Sequence, residues 1–462
     1  MLIRFWLILL LSTPLLFGDK KPNILLFIAD DMTWTDLGCY GNPDVKTPNL
    51  DALAKSGIRF TRCFSSAPTC SPCRQSLYTG LYPVRNGAHP NHSRVHENVK
   101  ALPSYLSALG YRCMLVGKRH EAPASIFSFE QLGGMHHDSG KPSPQTELPI
   151  HRAKAVIDQL DDQPWCLVVA SNQPHTPWNR GDASRYDAKP LTIPNYLVDT
   201  PNLRTRMTHY YAEISYMDAQ VGQALKLADD NTCVLWLSEQ GSQFPFGKWT
   251  CYNNGIHAAA IASWPGVVKP ERTTDALISY VDILPTFIDI AGGQADSTKF
   301  DGRSFASVLR GESDQHHRYV FAMNTTRGII NGSKAFASRA VTDGEWLFIH
   351  NLHSDETFTN MVTRRDTTYH GWKTMSDPFA QSRYRLYQHR PPYELFHLDE
   401  DPDCLNNLAE APNAALIRIR LSGKLAAWMK QQGDHGDQTE REAMSRQPKQ
   451  KPWVSGGSYY PR

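Results

Sequence analysis

Four apolar runs rich in β-branched and aromatic residues, at 23–29, 113–117, 166–171 and 233–238, constrain this chain more than any other feature. None of them alternates apolar with polar residues, so the strands they predict are covered on both faces. Between them, at 50–56, 104–110, 153–160 and 210–228, apolar residues recur three and four positions apart, the spacing of helices with one buried face. Strands alternating with helices predict an α/β fold built on a doubly wound, mostly parallel sheet. The 462 residues suffice for that core and a second, smaller unit.

Each run gives way to a polar cluster: Asp30-Asp31, Lys118-Arg119-His120, Asn172-Gln-Pro-His175 and Glu239-Gln240-Gly241. In open α/β sheets ligands bind beyond the carboxyl ends of the strands, so these four clusters are expected at one edge. A predicted helix at 280–291 is followed by Gly292, Gly293 and a Gly-, Ser- and Asp-rich stretch to about 317. That stretch sets the expected boundary between a larger unit, 19–317, and a smaller one, 318–432. Short runs at 319–322, 337–341, 346–349 and 394–398 predict a small antiparallel sheet, closed by a helix at 415–429. The tail, 433–462, reads as poorly ordered or docked without regular structure.

Arg4 precedes an apolar run from Phe5 to Phe17, and Gly18 precedes Asp19-Lys20-Lys21, the pattern of a secretory signal peptide over 1–18. The run is too short to span a bilayer and no later segment is long enough, so the mature chain is expected to be secreted or periplasmic, without a membrane span; an uncleaved N-terminal anchor is the alternative reading. With 48 Lys+Arg against 46 Asp+Glu and no basic stripe, nucleic acid is not an expected partner. Nine cysteines in an oxidising compartment leave at least one sulfur outside intramolecular pairing. Cys70-Ser-Pro-Cys-Arg74 lies between an apparent strand at 58–64 and a helix-like run ending at Thr79-Gly80. Alone, the motif admits three chemistries. It could be a redox pair, although a thioredoxin-like order of elements is absent, or half a zinc site, although no partner pair follows at finger spacing. A structural disulfide is the third.

The longer segment Cys70-Ser-Pro-Cys-Arg-Gln-Ser-Leu-Tyr-Thr-Gly80 resembles the signature of type I sulfatases, in which Cys-x-Pro-x-Arg is followed by Thr-Gly at this spacing. Lys21-Pro-Asn-Ile-Leu-Leu-Phe-Ile-Ala-Asp-Asp31, Gly38-Cys-Tyr-Gly41 and Thr47-Pro-Asn-Leu-Asp51 resemble the family's first strand and following helix, and Gly117-Lys-Arg-His120 its Gly-Lys-x-His element. Near the other end, Tyr393-Glu-Leu-Phe-His-Leu-Asp-Glu-Asp-Pro402 and Asn406-Asn-Leu-Ala409 are similar to its C-terminal subdomain. The resemblance implies an alkaline-phosphatase-like fold in which a smaller antiparallel-sheet subdomain follows the doubly wound sheet.

It also implies a site. Cys70 is expected to be oxidised to Cα-formylglycine by a formylglycine-generating or anaerobic sulfatase-maturating enzyme, and its hydrate to attack sulfur and form a covalent sulfated intermediate. One divalent cation, Ca²⁺ before Mg²⁺, is expected on Asp30, Asp31, residue 70, Glu239 and Gln240. Here the chain departs from the family, reading Ser238-Glu-Gln-Gly241 where Ser-Asp-His-Gly or Ser-Asp-Asn-Gly is usual. Each replacement adds one methylene and keeps an oxygen ligand. Arg74, Lys118 and Lys248 carry over as cations around the formylglycine and sulfate, His120 as the base for the gem-diol proton, and His175 as a sulfate contact that protonates the leaving group.

Phe244-Pro-Phe-Gly-Lys248, Ile349-His-Asn-Leu352, Gly371-Trp372 and the stretch 384–395 resemble the heparan N-sulfatase (sulfamidase) branch. The expected substrate is therefore a sulfated carbohydrate, N-sulfoglucosamine first and O-sulfated algal or animal polysaccharide second. A phosphohydrolase of the same superfamily and an inactive sulfated-glycan-binding homologue are the rival classes. The first typically needs two metals and a Ser or Thr nucleophile, and the second an unoxidised Cys70.

Overall fold

The computed structural model describes residues 20–134 and 148–446. The signal segment expected at 1–18 and the end of the tail, 447–462, lie outside the described residues. One sheet has nine strands: β1 (Asn23–Ala29), β2 (Ile58–Phe64), β3 (Arg112–Gly117), β4 (Glu130–Gln131), β5 (Trp165–Ala170), β6 (Thr232–Ser238), β7 (His257–Ser263), β8 (Arg272–Thr274) and β9 (Ile278–Ser279). Their order is β4-β3-β5-β1-β6-β7-β2-β8, with β9 beside β2. The four apolar runs are the adjacent strands β3, β5, β1 and β6, all parallel, with Ile24 facing Cys166 on one side and Cys233 on the other.

Every residue of β1 and β6 is buried. Leu25 and Phe27 pack with Leu50 of the helix Pro48–Lys55 and Leu203, Met207 and Tyr210 of the helix Pro201–Leu225. Ile24, Leu26 and Ile28 pack on the other face with Leu77 of Cys70–Thr79, Leu106 of Leu102–Ala108 and Phe287 of Ile283–Ile290. Helices on both faces explain why the strands are continuously apolar, each such side chain contributing about 1.5–3 kcal/mol of burial.

Two differences from expectation have physical causes. β7 runs antiparallel to both β6 and β2 and was not expected, because Ala258-Ala-Ala-Ile-Ala262 has little of the β-branched content that marks a strand. The helix Pro201–Leu225 begins nine residues before the expected 210. Its start is set by Thr200, whose side chain accepts from Leu203 N, and by Pro201 in the first turn.

A second, antiparallel sheet joins β10 (Val320–Thr325), β11 (Ala337–Thr342), β12 (Trp346–Asn351) and β13 (Tyr393–His397) in that order. The helix Ala415–Gln432 covers it through Leu421, Leu425 and Trp428. The expectation of a tail without regular structure is corrected for its first part, where a helix spans Asp437–Glu442. Arg339 of β11 is fully buried and pairs with Asp434 at 2.5 Å and Glu440 at 2.9 Å. A guanidinium inside a sheet must be answered by carboxylates, and the tail supplies them. Among the described residues no helix is long and apolar enough to cross a membrane.

Candidate active site

The carboxyl ends of β1, β3, β5 and β6 meet the N-terminus of the helix Cys70–Thr79. Asp30 and Asp31 leave β1 fully buried, and the Cys70 sulfur lies 3.6 Å from Oδ1 of each. Asp31 has φ +61°, in the left-handed region that costs a non-glycine residue about 1–2 kcal/mol, the kind of strain that persists where surrounding contacts fix it. Two contacts do so: Lys248 Nζ reaches Asp31 Oδ2 at 2.6 Å and Gln240 Nε2 donates to its Oδ1 at 2.5 Å. His175 Nε2 stands 3.4 Å from Oδ2. Lys118, after β3, holds Asp30 Oδ2 at 2.5 Å. Arg74, one helical turn beyond Cys70, pairs through Nε with Glu239 and lies 3.9 Å from Asp30.

Asp30, Asp31, Cys70 and Glu239 offer ligand atoms within 4.8 Å of one another, all buried. Gln240 completes the ring. Its amide nitrogen faces Asp31 and, at 3.5 Å, Cys70, while its buried Oε1 has no hydrogen-bond partner among the described residues. A half-turn of the amide exchanges the two atoms, so this position can present oxygen to a cation. Oxygen-rich and acidic, the donor set fits a hard divalent ion. The longer Glu and Gln side chains are thus accommodated at the position where the chain departs from the family.

The electrostatics are balanced pairwise. Burial opposes ionisation of Asp30, but Lys118 and neighbouring cations hold its carboxyl well below the usual range. Burial raises Asp31 despite Lys248, with the Asp30 charge adding to the rise. Burial also pushes Glu239 up to about 8, against the pull of Arg74, because Asp30 faces it. Three carboxyl groups thus face three cations, with burial opposing the charge on Asp31 and Glu239; a divalent ion would favour their ionised forms. Burial and Glu239 push the Cys70 thiol far up, so an unmodified Cys70 is a protonated, weak nucleophile.

His120 is buried on the Lys118 loop with its ring 4.8 Å from that of His92. Burial, then Lys248, lower His175 to about 3. Its Nδ1 donates to the Thr176 carbonyl at 2.6 Å, and Gln243 Nε2 approaches its Nε2 at 3.4 Å. The resting ring is therefore neutral, with an accepting Nε2. Asp30, Asp31, Cys70, Arg74, Lys118, His175, Glu239, Gln240 and Lys248 are joined by the contacts above, while His120 is placed by its ring contact with His92. Gln243 and His92 were missed, although His92 follows the cysteine motif in a histidine-rich stretch, 89–96, that could have drawn attention. Cys70 and Cys73 are both free, as are the other seven cysteines, which removes the disulfide alternative; Cys73 donates to the Glu239 carbonyl at 3.4 Å.

The sequence profile described as Sulfatase matches residues 22–293, more than half of the chain. The chain belongs to the sulfatase family. A second profile, N-sulphoglucosamine sulphohydrolase, C-terminal, matches residues 241–363 of this sulfatase. An ulvan-active sulfatase of Formosa agariphila is 32% identical, covering 90% of this chain and 81% of the relative. The human N-sulphoglucosamine sulphohydrolase is 27% identical, covering 88% and 90%. A solved structure of a 2-O GAG sulfatase superposes with a TM-score of 0.68 at 21% identity, over 90% of this chain and 93% of that one. At that identity the likeness speaks for the fold, which is the alkaline-phosphatase-like one expected. The sulfatase assignment also identifies the chain as a sulfuric ester hydrolase.

Proposed function

We propose that this sulfatase releases sulfate from a sulfated carbohydrate, with residue 70 acting as formylglycine. The observation that carries the proposal is the placement of Cys70 against Asp30, Asp31 and Gln240, with Lys118 and Lys248 on the same two aspartates. Asp30, Asp31, residue 70, Glu239 and Gln240 would hold one divalent cation, Ca²⁺ or Mg²⁺, which as a Lewis acid offsets charge growing on the sulfate oxygens. Formylglycine, once hydrated, supplies an oxygen nucleophile where the buried thiol cannot.

The chain's other residues bind, orient and move protons. Lys118 and Lys248 are held near the centre by the carboxylates and place two ammonium groups toward the bound sulfate. Arg74 is fixed by Glu239 and adds a third positive charge beneath residue 70. His120, buried on the loop after β3, takes the gem-diol proton. His175 rests neutral, and an anion bound beside it favours its protonated form, which lets Nε2 give a proton to the leaving group.

For the substrate, the motifs at 244–248 and 349–352 and the C-terminal profile over 241–363 favour N-sulfoglucosamine. The 32% identity to an ulvan-active sulfatase, above the 27% to the human N-sulphoglucosamine sulphohydrolase, favours an O-sulfated polysaccharide as second reading. The N-terminal pattern around Arg4 supports export to the periplasm or beyond, after maturation by a formylglycine-generating or anaerobic sulfatase-maturating enzyme. Two measurements test the proposal. Mass spectrometry of the peptide 63–74 from protein made in its native host should show aldehyde at position 70; an intact thiol there refutes the mechanism. A panel of N-sulfated, O-sulfated and phosphorylated sugars should yield sulfate, and dominant phosphate release would overturn the class.

A further inference from the structure

Next to the loops that carry His175 and Lys248, a cavity of about 180 Å³ opens toward solvent. At about 30 Å³ per water it holds roughly six, the bulk of one pyranose ring. Its inner wall includes Thr176 and Trp249, the chain neighbours of His175 and Lys248, and Gln243, whose amide approaches His175. Through Gln243, which approaches His175, and Trp249, whose ring lies 5.1 Å from Lys248 Nζ, the cavity adjoins the two residues assigned to the sulfate. The outer wall is Met361, Val362, Arg365 and Asp366, brought over by the short helix Met361–Arg365.

The two arginines of the cavity are not equivalent. Arg206 pairs with Asp366 at 2.7 Å, donates to Thr368 Oγ1 at 2.8 Å and stacks 5.2 Å over Trp178 and 5.4 Å over Phe244. Its charge is already answered and its place fixed. Arg365 is exposed, and among the described residues no ion pair joins it. The cavity thus presents a solvent-facing guanidinium beside an apolar wall of Trp249, Met361 and Val362, with one carboxylate against two cations. A neutral sugar would leave that fork of donors unused, whereas a carboxylate or sulfate matches it in charge and offers two oxygens to its paired N–H groups.

We propose that this cavity is a sugar subsite for substrates that carry a second anionic group, a carboxylate or a further sulfate, which Arg365 binds while Trp249, Met361 and Val362 pack on the ring. The inference rests on the sulfated-sugar reading above and deepens it. The test compares kcat/KM of the matured enzyme on a singly sulfated monosaccharide, the same sugar joined to a uronate, and the same sugar carrying two sulfates. Wild type should prefer at least one anionic congener by about tenfold, the scale of one charge-assisted hydrogen bond. The two congeners tell a carboxylate from a second sulfate. Arg365→Ala should bring that ratio close to one, while Arg364→Ala, which removes the neighbouring exposed charge, should keep it. A wild type without preference, an Arg365→Ala variant that retains it, or an equal loss in Arg364→Ala would each overturn the subsite. Failure of wild type to release sulfate from any of the three sugars would instead remove the sulfated-sugar reading beneath it.

Discussion

Replacing Glu239 with Met tests how the site is held together. The substitution keeps the side chain's length and removes its charge, leaving the buried Arg74 guanidinium with Asp30 at 3.9 Å as its remaining carboxylate. Stranding one member of a buried pair costs about 3–5 kcal/mol. The double variant Arg74→Met/Glu239→Met removes both charges and fills the same volume, so most of that loss should return while activity stays absent. Glu239 is also a proposed cation ligand. In wild type, a cation at a hundred times its Kd should add about 2.7 kcal/mol, and Glu239→Met should forfeit much of this gain. Urea unfolding followed by tryptophan fluorescence, in chelator and in excess Ca²⁺, measures both effects. A single-variant loss under about 1 kcal/mol in chelator, or a double variant as unstable as the two singles summed, would refute the pairing argument. An equal Ca²⁺ gain in wild type and Glu239→Met would remove Glu239 from the ligand set.

Three further outcomes are expected. Cys70→Ala should keep the fold, by circular dichroism, and lower sulfate release by about 10³-fold or more, because the nucleophile is gone. His257 is stacked between Trp34 and Phe64, at 4.1 and 4.6 Å, and burial lowers it to about 3. The unfolded chain therefore binds a proton that the fold refuses, so stability should fall by up to about 1.4 kcal/mol per pH unit as pH drops from about 6.5 toward 3. His257→Gln, which can still donate to the Thr61 carbonyl, should lessen that slope by one proton in urea titrations at several pH values. Truncation after Gly433 strips Arg339 of Asp434 and Glu440 and should cost about 3–5 kcal/mol, with Arg339→Met in the truncated chain restoring part of it; unchanged stability on truncation would contradict the role given to the tail.

Much of the site was legible because chemistry and topology agree at the strand ends. Asp30-Asp31, Lys118, His175 and Glu239-Gln240 each follow an apolar run, and a parallel sheet sends all such ends to one edge. Arg206 and Arg365 gave no comparable signal. One lies inside a helix whose start at Thr200 was overlooked, the other in a five-residue helix between β12 and β13. β7 was hidden by its alanines, and the tail helix by a polar composition whose purpose lies in distant Arg339.

The sequence by itself determined the α/β alternation, the order of the polar clusters and the cysteine motif, since these follow from local periodicity and residue chemistry. Only the tertiary structure decided that Glu239 is shared between Arg74 and the carboxylate cluster, that Gln240 turns its amide onto Asp31 and Cys70, and that Asp366 neutralises Arg206 while Arg365 has no ion pair among the described residues. Those outcomes depend on which charges burial forces together across hundreds of residues, and no local pattern encodes that distance.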